Sequence, residues 1–318
     1  QAMSFFATTL GFTIDGMLCT GLIALSASLL LSTGSYRWLE RISLPLVLIF
    51  TAATLICSIA MQFTEFRTTP SDIVQGLTPD LGLFVAYATL ALAAYGYTGT
   101  TSGDITAYTY WCIEKGYPSY LGADKSDPEW VERARGWIKV LHTDVWLALI
   151  IVTCATIPYY ILGAGVLHTM GIVPEGNSET IGALSNIFTQ TLGMWAVWIF
   201  AVGAFFILYS TVLSSVGAAG RSIPDYLIEM GVFERSNLPL RMLIIRWYLA
   251  VLPIVAFLIY VFVPNFVVLI MIGGLTSALF LPIQSGATLW LQAKHMDQRI
   301  RPSKITYYGL QIIFLFEV

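Results

Sequence analysis

Residues 80–117 read DLGLFVAYATLALAAYGYTGTTSGDITAYTYWCIEKGY, and the fold turns on how often this stretch crosses a bilayer. As one continuous helix its 38 residues would span about 57 Å at 1.5 Å per residue, nearly twice a hydrocarbon core of about 30 Å. Its centre is Thr98-Gly99-Thr100-Thr101-Ser102-Gly103-Asp104, seven residues without a good helix former. The reading is a single crossing made by a broken helix: a first half over 81–97, an unwound stretch at 98–104, and a second half from Ile105.

The rest of the chain supplies the bilayer in that argument. Of its 318 residues 57% are hydrophobic and only 11% charged, against about 25% charged in a soluble domain. Aromatic residues make up 14%, which with the low charge excludes a disordered chain. A net charge of −3 excludes a nucleic-acid partner. Trp247–Ala293 and Thr180–Gly220 carry no charge over 47 and 41 residues, and about 20 apolar residues suffice to span. The fold class is an all-α polytopic membrane protein whose partner is the lipid bilayer. Spans are expected near 17–33, 42–63, 81–113, 145–170, 188–217, 247–263, 266–291 and from 305 onward, about eight including the broken one. The 47-residue run turns at Pro264-Asn265.

Lys and Arg numbers in the seven intervening loops are 2, 1, 5, 0, 4, 0 and 4, a positive-inside alternation. Loops 35–41, 114–144, 218–246 and 292–304 are therefore expected in the cytoplasm, and residues 1–16 outside. Counting 80–117 as two crossings would destroy the alternation. Residues 1–318 are read as one transmembrane domain, with 114–144 a cytoplasmic loop carrying a short surface helix near 122–136, in a multi-pass protein of a bacterial inner or plasma membrane. The chain begins at Gln1 without a signal-peptide pattern and ends inside an apolar run, so it reads as a fragment cut within the membrane domain. Cys19, Cys57, Cys112 and Cys154 have no metal-ligand spacing and are expected as buried free thiols.

Exposed backbone inside a bilayer is tolerated where protein buries it or where it lines a wet cavity, and transporters bind solutes at such breaks. The carbonyl end of the first half-helix carries partial negative charge, and Asp104 offsets the positive start of the second. Carbonyls with a carboxylate suit a hard cation. Asp104, Gly103, Thr101, Thr100 and Thr106 are the candidate metal contacts. Asp104 has a second role open to it, as a cap on the amides that follow. Asp144 and Arg246 are candidates for a proton path, with helix-start charge and snorkelling as their respective alternatives. His168 is expected at the outer interface. No nucleophile–base pair or His-rich cluster lies at one depth, so an enzyme is not expected and no cofactor is implied.

At this level of detail the sequence resembles the natural-resistance-associated macrophage protein (NRAMP) family of divalent-metal transporters. Gly34-Ser-Tyr-Arg-Trp-Leu-Glu-Arg41 resembles the entry to the family's fifth helix, 81–117 its broken sixth, and Arg135–His168 with Asp144 its seventh. Tyr209–Arg221 is similar to the Ser/Thr-rich end of its eighth. Arg246 before Pro253 resembles the ninth, and Leu281-Pro282 the tenth. The resemblance implies part of a leucine-transporter-like inverted-repeat fold, with helices four to ten, the end of three and the start of eleven. The five spans over 81–291 would be one full repeat.

The family's first helix, whose Asp-Pro-Gly-Asn break supplies half the metal site, has no counterpart here. The family's Met-Pro-His at the sixth-helix break is replaced, without gaps, by Gly103, Asp104 and Ile105, and none of the nine Met lies in the break. The soft sulfur ligand is thus missing and a hard carboxylate stands beside its place, which widens the expected substrate from Mn/Fe-type ions to Mg²⁺ or an aqua-ion. The expected function is secondary transport of a divalent metal cation, possible proton coupling included. The alternatives are an organic-solute carrier of amino-acid type on the same fold, and a non-transporting membrane scaffold or sensor.

Overall fold

Long apolar segments with few backbone partners outside themselves can satisfy every N–H and C=O only by coiling, and the computed structural model is helical throughout. It describes residues 2–12, 14–33, 36–78, 80–122, 124–172 and 177–318, without the side chains of 33, 36–40, 42–44, 114 and 177–179. The helices are α1 Ala2–Thr9, α2 Gly16–Thr33, α3 Tyr36–Met61, α4 Pro70–Leu77, α5 Leu81–Ala86, α6 Ala88–Tyr97, α7 Ser102–Glu114, α8 Trp130–Leu162, α9 Asn177–Leu192, α10 Ala196–Glu229, α11 Leu238–Phe262, α12 Phe266–Lys294 and α13 Lys304–Glu317. Short 3₁₀ turns occupy Tyr117–Leu121 and Gln298–Ile300, and a π-turn over Gly163–His168 prolongs α8. Among the described residues there is no strand.

Four helical stretches are long and apolar enough to cross a bilayer: Trp130–His168, Ala196–Glu229, Leu238–Phe262 and Phe266–Lys294. Gly16–Ser32 and Pro45–Met61 are shorter apolar helices. Large side chains such as Leu147, Ile150, Leu258 and Ile283 are exposed on them. In water such a surface would cost roughly 25 cal/mol per Å²; against lipid it costs nothing.

Several boundaries differ from the sequence reading, each for a physical reason. Helix α8 begins at Trp130, so the second half of the segment read as the 114–144 loop is helical. Its first turns hold Glu132, Arg133, Arg135 and Lys139, charges that mark an aqueous end without stopping a helix. The span expected over 188–217 is divided: α9 ends at Leu192, Gly193 takes φ +91°, and α10 starts at Ala196. A run without charges cannot announce a turn that one left-handed glycine makes. Helix α3 begins at Tyr36, within the loop expected over 35–41; Ser35 and Gly34 lie outside the described residues.

The chain divides into two compact units. The first contains residues 1–79 and 154–269. One core cluster there joins Phe50 of α3, Phe188 of α9 and Phe200 of α10, with ring centroids 5.4 and 5.5 Å apart about Phe188. Cys57, Met61, Leu162 and Val166 also belong to it. A second cluster packs Ala27 and Leu31 of α2 on Leu213 and Val216 of α10 and Leu249 of α11. Two polar contacts cross this unit: Ser28 Oγ donates to Ala250 O at 2.5 Å, and Tyr209 OH to Ser26 Oγ at 2.9 Å. The four cysteines form no disulfide; Cys19 and Cys57 are buried as expected, but Cys112 is half-buried and Cys154 is exposed, because an apolar helix can turn a thiol outward as readily as a leucine.

The second unit contains residues 80–153 and 270–318. Within it α6 and α12 cross at a point where small residues let backbones touch. A Cβ built on Gly96 would lie 1.9 Å from Gly274 O, and one on Gly274 would lie 2.3 Å from Ala93 O. At the charged end, the loops before α8 and before α13 are tied through Arg299. Its Nη2 donates to Lys125 O at 3.1 Å and pairs with Asp297 at 2.8 Å. Its guanidinium lies 5.4 Å from the Trp130 ring centroid, and Arg135 Nη2 donates to Arg299 O at 3.0 Å. Hydrogen bonds from the Arg299 side chain and backbone pull the Asp297 carboxyl down to about 2. Hydrogen bonding to Arg133 likewise lowers that of Asp127.

Candidate functional site

The break falls inside this second unit and can be built residue by residue. Helix α6 ends at Tyr97. Thr98 takes extended backbone angles, its N–H donating to Ala94 O at 2.8 Å and its Oγ1 to the same carbonyl at 2.7 Å. Gly99 follows at φ +84°, a left-handed conformation that stops the helix from continuing. Thr101 then caps α7. Its Oγ1 accepts from Asp104 N at 3.2 Å, while Asp104 Oδ2 accepts from Thr101 N at 3.1 Å and from Thr101 Oγ1 at 2.7 Å. This reciprocal capping box explains why the helix resumes at Ser102 rather than at Ile105 as the sequence suggested. A further interruption divides the first half at Tyr87, whose ψ is 17°.

The first residue of α7 is held from α12. Ser102 N donates to the buried Ser277 Oγ at 3.1 Å. Gln284 Nε2 donates to Ser102 O at 2.7 Å and to Thr106 Oγ1 at 2.9 Å. The other end of the same amide, Gln284 Oε1, is buried with no hydrogen-bond partner. An unpaired buried acceptor costs about 1–3 kcal/mol. Within α12, Pro282 has no N–H to give the carbonyl of Ala278, which loosens the ladder just before Gln284.

The predicted residues are distributed as follows. Thr101 and Asp104 are together in the cap, and Thr106, one turn on from Ser102, shares with Ser102 O the bonds from Gln284. Asp104 is exposed, and its Oδ1 takes none of the hydrogen bonds described, so the capping role leaves one carboxylate oxygen open. Thr100 and Gly103 are exposed, and the space at Gly103 is bounded only by Thr101 Oγ1 at 3.6 Å. Asp144 accepts from Tyr108 OH at 2.9 Å, which links α7 to α8. Arg246 is exposed on α11 and belongs to the other compact unit. His168 is exposed at the end of the π-turn. No group of three or more His, Cys, Asp or Glu side chains gathers in metal-holding geometry among the described residues.

Two residues that hold the break, Ser277 and Gln284, were not singled out from the sequence. The signal was there for Gln284: an amide inside the 47-residue uncharged run needs partners, and an interrupted helix offers them.

These features define an all-helical chain with four helices long and apolar enough to cross a bilayer, one unit of which contains an interrupted helix with a carboxylate at the interruption. Compared with protein-family models, curated proteins and solved structures, the chain matches none.

Proposed function

We propose that the chain is part of a secondary transporter of divalent metal cations, with the ion held at the interruption between α6 and α7. The observation that carries this reading is the free Oδ1 of Asp104 beside the uncoiled backbone of Thr98–Thr101, oxygen donors with one negative charge and no sulfur. Hard donors favour Mg²⁺ or a hydrated ion over a soft transition metal. Thr100, Gly103 and Thr106 stand close along the chain to offer hydroxyl or carbonyl oxygens. Gln284 anchors the start of α7 and has an unspent acceptor of its own. In this reading the protein is an NRAMP-like member of the leucine-transporter-like folds, with about eight spans, and the Arg299 cluster faces the cytoplasm. The Asp144–Tyr108 pair is a candidate step for protons within its unit, and Arg246 is a separate candidate in the other.

The mechanism follows from the geometry. The capping box fixes Asp104 without consuming its second oxygen, so the carboxylate is preorganised for a cation rather than ordered by it. The carbonyl end of α6 adds partial negative charge to the same interruption. Uptake of Mg²⁺ and Mn²⁺ by the intact protein in proteoliposomes tests the reading. Asp104→Asn keeps the shape of the cap and removes the charge, and should abolish uptake with expression retained. Undiminished metal uptake overturns the reading; uptake of amino acids in place of metal would assign the organic-solute alternative.

A further inference from the structure

The link from α12 to α13 reads Lys294-His-Met-Asp-Gln-Arg-Ile-Arg-Pro-Ser-Lys304, four cations and one acid in eleven residues. The acid, Asp297, is taken by Arg299 at 2.8 Å. Arg299 is in turn committed to this pair and to Lys125 O, which holds the link in place. Among the described residues no ion pair involves Lys294, Arg301 or Lys304, and all three are exposed. The hairpin therefore carries an excess of positive charge at its surface.

Two contacts set the height of these cations. The ring of Phe314 comes within 3.0 Å of where a Cβ on Gly286 would stand, and Ser285 Oγ donates to Glu317 Oε2 at 2.6 Å, so α13 returns along α12. Lys294 is eight residues beyond Gly286 and Lys304 ten before Phe314, about 12 and 15 Å at 1.5 Å per residue. The two lysines thus stand at nearly one height on neighbouring helices. Aromatic rings come just inside them. On α12, Trp290 has Lys294 Nζ 5.8 Å from its ring centroid and the His295 ring at 4.8 Å. On α13, the rings of Tyr307 and Tyr308 lie 5.7 Å apart. Further in, Ile283 and Ile312 expose bare aliphatic surface.

Aliphatic surface, then aromatic rings, then lysines is the order met in passing from acyl chains to headgroups. A small soluble anion would satisfy the lysines and leave the aliphatic surface without a partner. A lipid without net charge would do the reverse. A phospholipid with an anionic headgroup answers both, and lysine is suited to a headgroup phosphate as a point charge.

We propose that the α12–α13 hairpin binds an anionic phospholipid. Its phosphate lies at the height of Lys294 and Lys304, its glycerol ester groups at the height of Trp290 and Tyr308, and its acyl chains along the exposed faces of the two helices. The site rests on α12 and α13 lying in the bilayer and is independent of the divalent-cation reading.

The test measures the lipid that the intact protein carries. After reconstitution with equal parts of phosphatidylglycerol and phosphatidylcholine and extraction in mild detergent, mass spectrometry should find phosphatidylglycerol in excess on the wild type. Each lysine near an anionic headgroup contributes about fivefold, so Lys294→Gln with Lys304→Gln should lower the retained ratio by up to about 25-fold, toward the ratio supplied. Lys115→Gln with Lys139→Gln removes the same charge from exposed lysines elsewhere in the unit and should leave the excess in place. No excess on the wild type, an undiminished excess on the hairpin variant, or an equal fall in both paired variants overturns the proposal. Should the hairpin variant not fold, tryptophan fluorescence decides. Phosphatidylglycerol with brominated acyl chains should quench the wild type more than brominated phosphatidylcholine does, and the difference should shrink in Trp290→Phe. No difference in the wild type, or an equal one in Trp290→Phe, overturns the site. Neither measurement involves metal uptake, so its failure leaves the Asp104 reading to its own test.

Discussion

Replacing Gly96 by alanine asks whether the α6–α12 crossing is what holds the interrupted helix in place. The new Cβ would fall 1.9 Å from Gly274 O and 2.8 Å from Ala278 N, both backbone atoms that no rotamer change can move. Restoring an ordinary contact of about 3.5 Å requires the helices to part by roughly 1.5 Å. Overpacking of this kind costs about 1–3 kcal/mol. The same displacement stretches the three bonds by which α12 holds α7, from Ser102 N to Ser277 and from Gln284 to Ser102 and Thr106. At about 1 kcal/mol each, the total is about 4–6 kcal/mol, a large part of a typical folding free energy of about 5–15 kcal/mol. Thermal unfolding followed by circular dichroism in mild detergent should show a pronounced fall in the midpoint. Gly103→Ala, in the first turn of α7 with its nearest neighbour at 3.6 Å, serves as control and should be neutral or slightly stabilising. A Gly96→Ala protein melting with the wild type would refute the packing argument.

Two further perturbations address the cap and the charged end. Thr101→Ala removes the hydroxyl that accepts from Asp104 N and donates to its carboxylate, which should cost about 0.5–2 kcal/mol and speed hydrogen exchange at the first amides of α7; unchanged exchange would show that the cap is idle. Asp297 titrates about 2 when folded, below its ordinary 3.8, so the stability it contributes is present above that ordinary value and is lost as pH falls through the folded one. The melting difference between wild type and Asp297→Asn should therefore shrink between about pH 4 and pH 2, and a difference that persists at pH 2 contradicts the Arg299 pairing.

How much of this could be read from residues alone varies with the kind of signal. The interruption was legible because Thr98–Gly103 lacks any good helix former, and α6 does end at Tyr97. Its far edge was not, since Ser102, Gly103 and Asp104 are poor in a helix interior but at home in a capped first turn. Uncharged runs located the apolar helices but not the turn at Gly193, which uses backbone conformation rather than polarity. Charged residues concealed the true start of α8, because a helix continues past the lipid as readily as within it. Ser277 and Gln284 depend on which faces of α7 and α12 meet, a matter of packing that spacing along one chain does not contain. Ser285 and Glu317, thirty-two positions apart in sequence, belong with them.

The central claim is that the interruption binds a divalent cation through Asp104. Isothermal titration of the intact protein with Mg²⁺, beside Asp104→Asn in the same detergent, measures it without any transport step. Saturable binding in the wild type that disappears in a folded Asp104→Asn protein is the predicted result; equal binding by both, or none by either, contradicts the account.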